Sequence, residues 1–535
     1  YKNKLTSTQH TLTASIAGSQ WPIGKTLTYR ISTSSISITP TLSVTPPPAS
    51  PYTGGAQNYT VSSYATVSRP GEAPRNVSMA WTAEFVEDDG AGGYNVIPQP
   101  DWLTAFTASG SGGSSSSYRA TIAAQTAVTS NSHNETLWKA EPVSGTYDLS
   151  TKGGTTAMNT ANCYIINAPG KYSLPLVYGN AVKNGSTNAS AYTSQASGTY
   201  VLKTFVNHLD APITDPYIYN NANCTPNNAV LVWQDEENLV TNVALAPDGH
   251  SLTFEVGSAT IKQGNAIVAV RDASNRIMWS WHIWVTDYEL GRDVRTVTNY
   301  QGGITTYDAR SVKVRFTQAE TGATQVITIA QASHSVVNSG NQPYFQFGRK
   351  DPMLAGLRNA SGSTVDKGCY SDGYAFDKSG TGKVAIGVSI QHPHIFYNYG
   401  SSSPYDWCAT SYYNLWSADN TVTTANDNVV VKTIYDPSPV GYHLPSSNAF
   451  TGFTYNGSRF NSPYTSTTDF TDNFGWKFYC NKMTGEGSYD TAGGTIFFPA
   501  SGCRRYSSGT ASYVGSYGYY WSAVPSSALD GRSLY

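Results

Sequence analysis

The sequence predicts a mainly β fold, with tandem β-sandwich domains followed by a loop-rich C-terminal domain. Three observations carry that expectation. Apolar and polar residues alternate with a period of two over many short stretches, the pattern of half-buried strands. Helical periodicity is scarce throughout. Beyond about residue 340, Gly, Tyr, Ser and Trp dominate and the alternating stretches become short.

The elements follow in order. Residues 1–50 read as one strand and a linker: Thr26–Ile31 alternates, and Thr45-Pro46-Pro47-Pro48-Ala49-Ser50-Pro51 is expected as a stiff extended spacer. Residues 51–144 are expected to form a small β-sandwich from alternating stretches at Asn58–Ser68, Val77–Val86 and Tyr118–Ala124. Trp102 would sit in its core, and the Gly/Ser run Ser109–Ser117 would be a mobile loop.

Residues 145–340 read as a second β-rich domain. Ile277–Val285 is its clearest strand, with Ile277, Trp279, Trp281, Ile283 and Val285 on one face and Met278, Ser280, His282 and Trp284 on the other. Ala266–Val270 precedes it across a turn at Arg271–Arg276, and Val312–Phe316 pairs with Gln325–Gln331 around Glu320-Thr321-Gly322. Residues 341–535 form the loop-rich domain, which needs disulfides, ions or an aromatic core to hold its loops. Four of the six cysteines fall here. The even count fits three disulfides, and buried free thiols fit it equally.

Composition narrows the function. Charged residues are 13% of the chain, against about 25% in a typical soluble protein. Aromatics are also 13%, with 38 Tyr and 12 Trp. Such a surface of Ser, Thr, Asn, Gly and Tyr suits extracellular β-domains and glycan recognition. The net charge of −2 offers no basic field for nucleic acid. No apolar run approaches the roughly 18–20 residues needed to span a bilayer. The opening Tyr1-Lys2-Asn3-Lys4 is not a secretory signal, so export would require a signal outside these 535 residues.

Several segments resemble families of gut Bacteroidetes. Trp21-Pro22-Ile23-Gly24-Lys25 with Tyr29 resembles the closing strand of fimbrillin-like (type V pilin) domains. Residues 58–126, with Pro100-Asp101-Trp102-Leu103, are similar to BACON-type sandwich modules. Ala161–Ile166 with Pro169–Tyr172, and Ala269–Asp272 running into Trp279–Tyr288, resemble large fimbrillin-family proteins. Over residues 345–535, Lys432–Pro445, Gly494–Gly502 and Gly518–Ser522 resemble the Fibrobacter succinogenes major paralogous domain. That resemblance implies a C-type-lectin-like fold related to the formylglycine-generating enzyme. Many relatives carry Cys at the position of Ser438 and an aromatic at Cys503. The exchange implies a Cys480–Cys503 disulfide, leaving Cys369 with Cys408.

Reactive constellations are few. Trp279 and Trp281 are expected in the core, and Trp284, on the opposite face, is the better ligand candidate. His392-Pro393-His394 lacks further evident zinc ligands and reads as a solvated or hydrogen-bonded pair. Trp407 and Trp416 are expected in the core, and Asp406 is expected to cap a turn rather than to hold calcium. No G-x-S-x-G elbow, H-E-x-x-H helix or close cysteine pair is present, so neither enzyme activity nor a cofactor is expected. The resemblances imply an exported, fimbria-associated surface adhesin. Its partners would be pilin subunits or other surface proteins, and its ligand a glycan or host protein. The alternatives are a glycan-capturing surface lipoprotein and a non-binding stalk. Ligand contacts are expected from Tyr399, Tyr405, Tyr412, Tyr517 and Tyr519 in the two Tyr-rich loops, because Tyr offers a flat ring and a hydroxyl at low entropic cost.

Overall fold

The alternation at the start of the chain produces one long strand, Gly55–Ser68, in which Tyr59, Val61, Ser63 and Ala65 are buried in strict period two. A computed structural model describes residues 20, 23–26, 36–126, 128–290, 304–307, 309–332, 334–337, 342–359, 362–398, 406–450, 475–479, 495–526 and 531–534. Of these, 42% lie in strands and 5% in helices, so the fold is mainly β. The expected strand at Thr26–Ile31 lies, apart from Thr26, outside the described residues.

Two compact units form, and neither is continuous in sequence: residues 1–129 with 305–336, and residues 130–304 with 337–535. This differs from the linear division at residues 144 and 340. In the first unit, one sheet holds Ser37–Thr45, Gly55–Ser68, Gly113–Ile122 and Leu103–Phe106 in that order, with Arg75–Ser78 also on Gly55–Ser68. The other orders Thr324–Gln331, Arg310–Gln318, Trp81–Asp88 and Tyr94–Ile97. The hairpin at residues 310–331 thus completes this sandwich: Val314 lies opposite Phe85 and Phe316 opposite Ala83. Its inward residues Val312, Val314, Phe316, Ile327 and Ile329 share one core with Tyr59, Trp81 and Ile122.

Three local expectations change here. Val77–Val86 is not one strand; the break at Met79-Ala80 carries the chain from one sheet to the other, which puts Trp81, not Trp102, at the centre. Trp102 stays half-buried under the Arg310 guanidinium, 5.1 Å from its ring. The Gly/Ser run is strand rather than mobile loop: Ser109–Gly110 pairs with Trp81–Asp88, and Gly113–Ile122 with Gly55–Ser68. Gly112 makes the turn between them at φ +83°, where a Cβ would collide with the Met79 and Ser63 carbonyls. The Pro-rich stretch is no free spacer either. Strand Ser37–Thr45 precedes it, and Ser50 exchanges 2.9 Å backbone hydrogen bonds with Ala330 and Ala332.

The second unit packs a sheet of Thr146–Asp148, Gly170–Pro175, Ser251–Val256 and Thr241–Leu245 near a sheet of Cys163–Ile166, Ile277–Val285, Gly264–Arg271 and Asn228–Gln234. Trp279, Trp281, Ile283 and Val285 are fully buried in one cluster with Tyr172, Leu174 and Phe254. That cluster continues into Ile386, Trp407, Trp416, Ile434, Tyr435 and Ala523, so no core boundary falls at residue 340. A bulge between Val270 and Arg271 leaves Met278 unpaired opposite them. Met278 therefore joins Trp279 in this cluster while Ile277 turns to the other face, which reverses the alternation expected at that end.

The sheet also explains the cysteines. Cys408 is buried on the Trp279 side, whereas Cys369 packs against Val232, Trp233 and Ile267 on the opposite side. The intervening sheet forbids the expected bridge, and both are free thiols, as is Cys503. Cys480 lies outside the described residues. Buried polar groups brace the loops instead. Arg504 pairs with Asp366 at 2.9 Å and donates to the Leu354 and Gly509 carbonyls at 2.8 and 2.7 Å. Asp436 accepts from the backbone of Ser438 at 2.7 Å and of Leu444 at 3.0 Å, which closes the turn around Pro437 and Pro439.

Candidate functional site

Three of the residues singled out as ligand contacts, Trp284, Tyr412 and Tyr519, line one cleft of about 970 Å³ in the second unit. They come from separate elements. Trp284 sits near the end of strand Ile277–Val285 and is half-buried, whereas Trp279 and Trp281 on the other face are fully buried. Tyr412 and Tyr519 lie in loops, each half-buried. Tyr517 is not in the lining. It is 48% exposed and its ring stands 5.2 Å, edge on, from Tyr513, which is in the lining. Tyr399 and Tyr405 lie outside the described residues.

Aromatic side chains make up 17 of the 37 lining residues, so nearly half of the lining presents flat ring surface. The segment Gln342–Phe347 is pinned into that wall. The indole N–H of Trp407 donates to the Phe347 carbonyl at 2.7 Å, and that of Trp521 to the Phe345 carbonyl at 2.9 Å. Gln346 donates to the Tyr397 carbonyl at 2.9 Å. Such bonds satisfy the polar ends of the rings and fix their orientation before any ligand arrives.

Charge in the cleft is sparse. Its charged lining residues are Asp406, Arg504 and Arg505, and Arg504 is engaged by Asp366. Burial pushes the Asp406 carboxyl up, and the Cys408 backbone N–H, donating at 3.0 Å, works against that; Asp406 thereby caps the turn that carries Trp407. Trp407 and Trp416 are both buried in the core. His282 Nε2 lies 2.9 Å from Asn265 Oδ1, and burial pushes this imidazole down to about 3, so it is neutral near pH 7. The Cys163 thiol in the lining is pushed up to about 12 by burial, and burial raises Cys503 as well; neither has thiolate character.

His392 and His394 stand outside the cleft, ring centroids 5.9 Å apart, in the turn after helix Ile386–Gln391 rather than on a strand. No cluster of three or more His, Cys, Asp or Glu suited to a metal occurs among the described residues. The sequence reading missed Tyr344, Tyr506, Tyr513 and Trp521 in the lining. Tyr506 and Tyr513 belong to the Tyr-rich loop already singled out, so their signal was present. Tyr344 sits in Gln342–Phe347, where three aromatic residues in four were the available hint.

Comparison of the chain with known protein families, with curated proteins and with solved structures found no match.

Proposed function

We propose that the chain is a surface-exposed, fimbria-associated adhesin that binds a glycan through the aromatic cleft of its second unit. The observation that carries this reading is the convergence of Trp284, Tyr412 and Tyr519 on one concave, aromatic-rich and weakly charged lining. Pyranose rings present apolar C–H faces that stack on aromatic rings and hydroxyls that bond to Tyr. A neutral, polyhydroxylated ligand suits such a lining better than an anion or a metal complex. A concave cleft also favours a saccharide over the flat surface of a host protein. The resemblance to fimbrillin-family segments and the low charge content support export and pilin or other surface-protein partners.

The test is a glycan array and a cell-binding assay with the full chain, followed by Trp284→Ala and Tyr412→Ala. Each replacement is expected to weaken binding about tenfold, equivalent to about 1.4 kcal/mol, with Tm within about 3 °C of the parent. Absence of binding to any glycan or cell, or binding indifferent to both replacements, would overturn the assignment. Capture of a single soluble polysaccharide without cell binding would point to an uptake lipoprotein instead.

A further inference from the structure

At the end of strand Asn228–Gln234 the second unit holds a buried amine between two carboxylates. Lys367 Nζ lies 3.1 Å from Asp235 Oδ2 and 2.9 Å from Glu236 Oε1, with the Lys367 and Asp235 side chains 5% and 1% exposed. The approach is close, yet Lys367 Nζ makes no directed hydrogen bond. A buried ammonium without aligned acceptors is a poor arrangement, because its desolvation is only partly offset. The Asp235 carboxylate, in contrast, is tightly oriented. Oδ1 accepts from the Asn265 backbone N–H at 2.6 Å, and Oδ2 accepts from Asn265 Nδ2 at 2.8 Å. Asn265 is itself held by His282.

We propose that Lys367 and Asp235 are the partners of a self-formed isopeptide bond, with Glu236 as the proton relay. Glu236 takes a proton from the Lys367 ammonium. The freed amine lone pair attacks Cγ of Asp235, and the electron pair displaced from the carbonyl settles on Oδ1, where the Asn265 N–H holds it. Glu236 then passes its proton to Oδ2, takes a second from the attacking nitrogen and delivers that too. Oδ2 leaves as water, the Cγ–Oδ1 double bond re-forms, and an amide N–H remains. Ammonium and carboxylate are consumed, one amide and one water are produced, Glu236 returns to its starting form, and no oxidant or cofactor is involved. The geometry assigns each part: an amine against an oriented carboxyl, a backbone donor on the oxygen that gains charge, and a carboxylate touching the amine. Glu236 Oε1 is 2.9 Å from the ammonium nitrogen, and the Lys367 and Lys262 ammonium groups outweigh burial and keep its carboxyl ionised, so it has a free lone pair for the proton. The product replaces a buried ion pair with a neutral amide, which removes the desolvation cost of both charges.

The bond would staple the loop segment at Lys367 to the central sheet. Tyr370, three residues on, already exchanges backbone hydrogen bonds of 2.8 and 2.9 Å with Gln234. The intact mass and peptide map of the purified full chain test this. The expected result is a mass lower than the sequence by one water, and a branched peptide joining residue 235 to residue 367. Glu236→Gln is expected to restore the full mass and abolish the branched peptide while circular dichroism stays unchanged. A parent chain of full mass with both peptides linear would overturn the proposal, as would a water loss confined to a cyclised Asp235 without a branch. A branched peptide that persists undiminished in Glu236→Gln would overturn the relay.

Discussion

In the first unit, strands such as Gly55–Ser68 and Arg310–Gln318 bury alternate apolar residues against one another, and the sandwich closes on Val, Ile, Phe and Trp. In residues 342–534 of the second unit, no described strand exceeds the six residues of Tyr520–Pro525, and charge is taken inside. Arg349, Lys350, Asp351, Lys367, Asp436 and Arg504 are all under 9% exposed there. Extended strands satisfy their own backbone through pairing, so burial of apolar side chains suffices to hold them. Loops leave backbone carbonyls and N–H groups unpaired, and specific donors and acceptors must be brought in to meet them. Arg349 shows this: its guanidinium donates to the carbonyls of Ile395 and His392 and to Gln346, with Tyr397 and Trp407 rings beside it.

If that contrast is correct, single polar truncations should damage the loop region most. Arg504→Ala is expected to cost about 3–5 kcal/mol, since it removes the donors to the Leu354 and Gly509 carbonyls and one of the two cations on Asp366, which keeps Lys378. Denaturant melts measure it, and a loss under about 1 kcal/mol would show the loops are held otherwise. Asp436→Ala should cost about 2–3 kcal/mol by leaving the Ser438 and Leu444 N–H groups unmet.

Acid should separate the units. Burial pushes His282 down to about 3, and His208 and His394 to about 4, while unfolded histidine titrates near 6.5. His208 has neither ring nitrogen hydrogen-bonded. The unfolded chain therefore binds more protons than the folded one below about pH 6.5. The second unit's stability should be full above that pH and fall progressively towards pH 4. No buried histidine is described in the first unit. Hydrogen exchange mapped by peptide, at pH 7 and pH 5, should show protection falling in the second unit first; equal loss in both would remove the distinction.

The first unit has polar devices of its own, with smaller expected effects. Gln325 acts as a side-chain strand partner, its amide donating to the Val44 carbonyl at 3.0 Å while its carbonyl accepts from the Val44 N–H at 2.7 Å. Gln325→Ala should cost about 1–2 kcal/mol, and Ile329→Val only about 0.5–1.5 kcal/mol. A Gln325 penalty above that of Asp436 would break the comparison.

Local pattern was enough to expect strands at residues 58–68, 266–270 and 277–285, which form at 55–68, 264–271 and 277–285; half-burial selects the alternation of the first, whereas the other two are buried on both faces. It also separated Trp279 and Trp281 from Trp284, so part of the cleft could be found from one strand. The same pattern says nothing about which strand pairs with which. Residues 310–331 alternate as well as any other stretch, and only tertiary structure decided that they join the sandwich of residues 37–122. A one-residue bulge exchanged the faces of Ile277 and Met278, and the position of a sheet kept Cys369 from Cys408. The Lys367–Asp235–Glu236 cluster was invisible for the same reason. Its amine lies far along the chain from its carboxylates, and burial beside an oriented carboxyl is a property of packing, not of residue order.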